Sequence, residues 1–398
     1  MSSSGSEQEV VALPPDAPEL ADAAHEWKSA YIHVPFCRRR CPYCDFAIVD
    51  ESATTVSHDR YVDAVIAEMG MEKDFAPLHA INIGGGTPST LSADQLLRIV
   101  AGAIDRFGLV DGAEISLEIN PEDWSPEFGH ALVAGGFTRV SIGAQSMDDA
   151  ILGVLGRSHV ASGIGDVVAG AAEAGFRSVS ADLIFGHPAE APESWRHSVE
   201  ALLDLPVDHV STYALTVEPG TDLARQVRAG APQPDGDVQA DRYELFSETA
   251  SNRGIRRYEV SNHAAVGHAC RYNLATWSHA EYIGFGMGAH DHRWGVRSRN
   301  HRRIDRYLAD VEAGRRPRLG TEQLGPCEQE RDRLMLGLRL AAGTPITPTA
   351  QRFIDSDAGE SMLDHGLLTV VDNRLMVVNP FLADAVAREA LSVPVDDC

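Results

Sequence analysis

The strongest constraint on the fold is a repeat of short β-rich runs. They stand at 31–34 (YIHV), 79–83 (HAINI), 114–119 (EISLEI), 139–144 (RVSIGA), 178–185 (SVSADLIF) and 209–216 (HVSTYALT), with helical patterns between them. The clearest helix places Leu96, Ile99, Val100, Ala103, Ile104 and Phe107 on one face, behind Ser92 and Gln95 as a capping box. Another opens at Ser125-Pro126, with proline at the first helical position, and stops at Gly135-Gly136. A βα unit recurring about every 30–40 residues points to parallel strands with their crossover helices outside. Six such units fall short of the eight that close a barrel. The expected fold is therefore α/β: an incomplete (βα)6 TIM-like barrel with an open side.

The rest of the 398 residues divides around that core. Residues 1–26 carry six acidic side chains and no Lys or Arg, which predicts a disordered tail. The barrel is expected over 27–238, where APQPDGD (231–237) marks a linker or loop. An extension over 239–320 is rich in aromatic, Arg and His side chains. From 321 to 398 a charged helix with Leu334, Leu336, Leu338 and Leu340 precedes the short segments GLLTVV and RLMVV, the pattern of a smaller winged-helix-like α+β domain. Fifty-eight Asp and Glu against 34 Lys and Arg leave a formal charge of −24, which repels phosphate backbones and anionic lipid. No apolar run approaches the roughly 20 residues of a membrane helix, and the N-terminus lacks the basic and apolar regions of a signal peptide. A soluble, cytoplasmic protein is expected. It would bind no nucleic acid and meet a membrane only peripherally, through a partner.

Three of the six cysteines crowd into one loop directly after the first strand: Cys37, Cys41 and Cys44, spaced C-x3-C-x2-C. Three thiolates there can hold three irons of a cubane cluster, leaving the fourth iron open to a small ligand. A zinc site with His33 as fourth ligand is an alternative, as is a purely structural role. Pro35 and Pro42 argue against one continuous helix that would bury all three. The other strand ends are polar or glycine-rich as well: Gly84-Gly85-Gly86-Thr87 after the second, Glu118 and Asn120 at the third, Gln145-Ser146 at the fourth, Asp182 within the fifth and Tyr213-Ala214 on the sixth. In barrel folds that end of the strands carries the active site.

The cysteine loop resembles the signature of the radical S-adenosylmethionine enzymes. The longer string YIHVPFC…CPYCDF is similar to the subfamily of the anaerobic coproporphyrinogen III oxidases and the related HemW-type heme chaperones. The resemblance spans about residues 29 to 390. It implies a [4Fe–4S] cluster on Cys37, Cys41 and Cys44, with S-adenosylmethionine chelating the open iron. One electron then splits the sulfonium into methionine and a 5′-deoxyadenosyl radical. By the same resemblance, Gly85, Gly86 and Thr87 line the methionine site. Glu118, Gln145, Arg157 and Asp182 bind polar groups of the cofactor, and Tyr31, Tyr43 and Ala214 contact its adenosyl part.

Two branches share this core. The oxidases resemble C-x3-C-x2-C-x-C, whereas this chain has Phe46 at the last position, as the chaperone-type branch does. YEVSNHA (258–264), CRYNLATW (270–277) and EYIGFGMGAH (281–290) also resemble the chaperone branch. In its His-Asn-x-x-Tyr-Trp motif Asn273 and Trp277 are kept, while Tyr272 and Thr276 replace the His and the Tyr. His263, His268, Cys270 and His290 are the candidate axial ligands, and Arg271, Arg293, Arg297 and Arg299 the candidate propionate partners. The resemblance thus implies heme as cargo, an acceptor protein for it, and a flavodoxin- or ferredoxin-like electron donor, since the chain has no second cysteine cluster. A radical enzyme acting on a porphyrin-like substrate, by decarboxylation or methyl transfer, is the alternative function. A degenerate core with a structural cluster is a third.

Overall fold

The computed structural model describes residues 17–392 apart from 74 and 76. Its centre is a parallel sheet of six strands: β1 (Lys28–Val34), β2 (Leu78–Gly85), β3 (Leu109–Ile119), β4 (Arg139–Gln145), β5 (Ser178–Phe185) and β6 (His209–Ala214), paired in that order. The helices between them cover the outer face. Ile32, Val34, Ile81, Ile83, Leu117, Val140 and Ile142 pack there against Val65, Leu96, Ile99 and Ala103 in one buried cluster. Period-2 alternation leaves the other side chains of each strand for the barrel interior. The helix Ala93–Phe107 has the expected Ser92/Gln95 capping box, and the helix Pro126–Ala134 starts at Ser125 and stops at Gly135, as its sequence predicts.

The sheet is wider than the six expected units. Glu281–Phe285 adds a seventh parallel strand beside β1. His290–Arg293, Val296–Asn300 and Arg318–Gln323 continue from it antiparallel, while Asn262–Ala264 and Arg256–Arg257 extend the β6 edge. These strands are short and mostly Gly-, His- or Arg-rich, so no long apolar run announces them, and those that join the barrel strands do so across long sequence separations. The turn between His290–Arg293 and Val296–Asn300 holds Trp294 and Gly295 at φ +53° and +72°, a two-residue hairpin turn. The two outer edges of the twelve-stranded sheet are not hydrogen-bonded to each other among the described residues, which leaves the barrel open.

Part of the expected tail is ordered. Ala17–Ala24 is a helix, and residues 1–16 lie outside the described residues. Ala17, Ala21 and Ala24, at i, i+4 and i+7, pack against Tyr258, Cys270, Leu274, Leu340 and Ala342. An all-alanine face among acidic residues carries too little hydrophobicity to stand out in sequence. After 325 the order is Pro326–Gly337 helix, Thr344–Pro345 strand, helices Pro348–Ile354 and Asp357–Asp364, then strands Leu368–Val371 and Arg374–Val377. Helix, strand, two helices and a two-stranded wing is winged-helix order, with its own core on Leu334, Leu338, Phe353, Leu368 and Leu375.

Candidate cofactor site

The C-terminal ends of the six strands surround a cavity of about 490 Å³. Cys37, Cys41 and Cys44 line one wall of it, and all three are free thiols. Their loop is anchored at its base: Phe36–Cys37 pairs in parallel with Val49–Asp50, while Gly86 and Thr87 donate backbone bonds to Val34 and Phe36, both at 2.8 Å. Polar hydrogens point at two of the sulfurs. Thr87 Oγ1 is 3.4 Å from Cys37 Sγ, and Arg157 Nη1 is 3.7 Å from Cys41 Sγ. Burial pushes the Cys37 thiol up to about 11 and raises that of Cys44. An electropositive centre must therefore displace their protons, as metal binding to thiols does. Among the described residues no three Cys, His, Asp or Glu side chains converge on one ion position. The three thiols instead share a cavity wall, an arrangement suited to a cluster in which each sulfur meets a different iron.

The floor is made of glycines because nothing larger fits. A Cβ on Gly85, which sits at φ +113°, would lie 2.4 Å from His33 Nδ1. One on Gly86 would lie 2.7 Å from the Pro35 carbonyl, and one on Gly84 2.5 Å from Glu118 Oε1. Backbone is thus exposed where a ligand needs close approach. Glu118 accepts from Gly85 N at 3.2 Å, and Asp182 accepts from Ser141 Oγ at 3.0 Å. Burial, then the neighbouring Asp182, raises the Glu118 carboxyl to about 7. Burial raises Asp182 to about 6.

Two further groups close the wall. Gln145 ends β4 at φ +65°, beside a register shift between Ile142 and Gln145, so a bulge turns the side chain away from the regular ladder. Its Oε1 is buried without a hydrogen-bond partner. Such an orphan acceptor in a cavity wall is what a site built for a polar ligand leaves behind. Arg157 reaches across to Asn120 Oδ1 at 2.5 Å and Gly143 O at 3.2 Å.

Most of the expected residues come together here. Gly85, Gly86, Thr87, Glu118, Gln145, Arg157, Asp182, Tyr43 and Ala214 all line the cavity with the three cysteines. Tyr31 is not among the lining residues: it lies below the floor, its hydroxyl 3.1 Å from His33 Nδ1 and its ring 5.9 Å from that of Tyr272. Asn120 was not singled out for a role from sequence, yet it links Thr87 (3.3 Å) to Arg157 and so joins the two residues that face sulfur. The strand-ending Asn-Pro step is its only signal.

The candidate heme residues separate. His268 and Cys270 stand at the opposite end of the barrel, where the strands begin. There the His268 carbonyl accepts from Arg139 Nη2 at 2.5 Å, and His268 Nδ1 is 3.2 Å from Ser178 Oγ. The Arg271 amide donates to Glu114 at 2.9 Å, so the helix Arg271–Trp277 plugs that end. Cys270 is buried, and burial pushes its thiol up to about 12. His263 is wholly buried, edge-on to Phe246. Arg293 is buried between Asp291 and Glu72, and Arg297 pairs with Glu322 and Asp332. Only His290, among the four candidate ligands, is exposed, at the start of the antiparallel strand His290–Arg293 that follows the strand beside β1.

Known proteins resemble this chain over most of its length. Residues 31–202 match the model of the Radical SAM superfamily. The Heme chaperone HemW of Mycobacterium tuberculosis is 38% identical over 388 residues, 95% of this chain and 98% of that protein. Its namesake from Bacillus subtilis is 35% identical over 82% of this chain and 87% of its own length. Among solved structures, the coproporphyrinogen III oxidase HemN of Escherichia coli superposes with a TM-score of 0.77 over 94% of this chain and 92% of that one, at 20% identity, which shows a shared fold. The superfamily implies a [4Fe–4S] cluster and S-adenosylmethionine, and the donor set around the cavity suits both. By full-length similarity the chain belongs to the HemW family of the Radical SAM superfamily.

Proposed function

We propose that the chain is a heme chaperone: it binds heme and delivers it to an acceptor protein while carrying a [4Fe–4S] cluster and exchangeable S-adenosylmethionine. One observation carries this choice over a porphyrin-modifying enzyme, namely the similarity to a protein named as a heme chaperone over 98% of that protein's length. Cys37, Cys41 and Cys44 would hold the cluster, which supplies one-electron chemistry at an open iron. Arg157 is the natural partner of the cofactor's carboxylate. Gly85, Gly86 and Thr87 offer backbone to its methionine part, while Glu118, Gln145 and Asp182 offer acceptors to its amino and hydroxyl groups. Tyr43 and Ala214, which line the same cavity, would contact its adenosyl part. A flavodoxin- or ferredoxin-like protein would supply the electron.

The test is delivery. The protein, reconstituted without oxygen and loaded with one heme, should pass it to an apo-hemoprotein faster than the same heme arrives from serum albumin. It should release no 5′-deoxyadenosine in stoichiometric excess over chain. Sustained turnover of S-adenosylmethionine with modified porphyrin as product, and no transfer, would overturn the assignment. Iron and sulfide analysis should find about four of each per chain, lost on Cys41→Ser.

A further inference from the structure

We infer that His290 is the axial ligand of heme and that Arg299 and Arg302 hold its propionates, on the rim of the barrel end that carries the cysteine loop. This rests on the heme-chaperone assignment and names its site. Exposure is the first ground. An axial ligand must present a ring nitrogen to a macrocycle about 10 Å across, which His263 and Cys270, both buried, cannot do without unfolding their surroundings. His268 already spends its ring on Ser178 and its carbonyl on Arg139. The ring of His290 is exposed and makes no hydrogen bond among the described residues.

Charge is the second ground. On a chain with 58 acidic and 34 basic residues, a guanidinium group without a carboxylate partner is a cation left for a ligand. Arg299 and Arg302 are in no ion pair among the described residues, and Arg299 lies directly across the hairpin from His290 in the strand register. Arg302 donates to the Asp45 carbonyl at 2.5 Å, which ties this rim to the cysteine loop. Two unneutralised cations beside a free imidazole match a ligand with two carboxylates and a metal that accepts nitrogen. Although the residue is exposed overall, partial burial, then Arg299 and Arg302, lowers the His290 imidazole, which favours a neutral ring with its lone pair free.

An apolar contact is the third. Phe46, at the position where the oxidase pattern has a cysteine, follows Asp45 and precedes Ala47, against which Gly288 packs. A Cβ on Gly288 would stand 2.7 Å from that of Ala47. Phe46 is 58% exposed and lines the mouth of the cofactor cavity beside this rim, so it offers an apolar face to a flat ligand there. Heme would lie against it, its iron toward His290. The coordinate bond replaces an iron-bound water with the imidazole nitrogen and needs no electron transfer.

The experiment titrates ferric heme into full-length wild type, His290→Ala, His290→Cys and Arg299→Glu/Arg302→Glu, following the Soret band and co-elution. Far-ultraviolet circular dichroism confirms folding. The expected result is at least about a tenfold loss of affinity in His290→Ala, restored by added imidazole. His290→Cys should show a thiolate-type shift of the Soret band, and the double arginine variant should bind several-fold more weakly with the wild-type spectrum. Cys270→Ser should bind as wild type does. If wild type binds heme and His290→Ala binds it with equal affinity and an unchanged spectrum, this site is wrong while the chaperone assignment stands. If wild type binds no heme, both fail.

Discussion

Replacing Glu118 by Gln should stabilise the ligand-free protein at alkaline pH and weaken its cofactor site. The folded carboxyl is raised to about 7 from its usual 4.5, by burial and then by Asp182. The folded state therefore binds more protons than the unfolded one between those two values, and stability falls as pH rises through that window. The full shift corresponds to about 3 kcal/mol. Because the side chain is only half-buried and opens onto the cavity, solvent screening reduces this to about 2 kcal/mol. Gln keeps the shape, and its carbonyl can still accept from Gly85 N, now 3.2 Å from Glu118 Oε2. Urea unfolding of cluster-free protein, read by tryptophan fluorescence, should show the variant more stable than wild type by about 2 kcal/mol at pH 8, with the gap closing toward pH 4.5. Calorimetry on the reconstituted protein should show weaker S-adenosylmethionine binding at both pH values. A wild type equally stable at pH 5 and pH 8, or a Gln variant less stable at both, would refute the claim that the cavity holds its carboxylates at the expense of stability.

The buried Arg139–Glu114 pair, 2.9 Å apart and 3% and 10% exposed, closes the opposite barrel end. Arg139→Met should lower stability by about 3–5 kcal/mol, and adding Glu114→Leu should recover much of that in denaturant unfolding, because the uncompensated charge is removed. Gly85→Ala adds a Cβ at φ +113° against His33, so thermal unfolding should drop by several degrees and calorimetric S-adenosylmethionine affinity should fall at least about tenfold. Ala21→Glu places a charge in the 5%-exposed face of the Ala17–Ala24 helix. Limited proteolysis should then cut near residue 25 faster than in wild type, with a loss of about 2 kcal/mol in unfolding.

What could be read from sequence was what is local. The barrel strands alternate apolar and polar residues, as in EISLEI and SVSADLIF, because one face packs on the helices and the other lines the barrel, and the helices between them carry their own caps. The cysteine loop and the Gly-Gly-Gly-Thr end were legible for the same reason, since each lies within a few residues. Asn120 was not, because its meaning comes from Thr87 and Arg157, 33 and 37 residues away. Nor were the extra strands: His290–Arg293 reads HDHR, and only its partners across the hairpin make it a strand. The Ala17–Ala24 helix hid because alanine packs well against Tyr258 and Leu340 while contributing little hydrophobicity of its own.

The two ends of the barrel explain the departures in the chaperone-type motif. Arg139 and Gln145 are the first and last residues of one strand, so the plug they touch at one end and the cavity wall at the other lie about 20 Å apart. A ligand in the 270–277 helix would stand at the far end from the cluster, behind Tyr31. In place of His and Tyr this chain has Tyr272 and Thr276. Tyr272 stacks on Tyr31 at 5.9 Å and meets Tyr282 edge-on at 6.2 Å, while Thr276 bonds back to the Tyr272 carbonyl at 2.9 Å. Asn273 donates to the Tyr258 hydroxyl, which also meets His209, and Trp277 lies under Arg339. Every side chain of the motif that the chain keeps or changes is engaged in closing the barrel floor. The substitutions therefore leave the cavity intact and remove a metal ligand only from a place where no open coordination site exists. On the proposed chaperone function, heme capture would then fall to the exposed rim beside the cysteine loop.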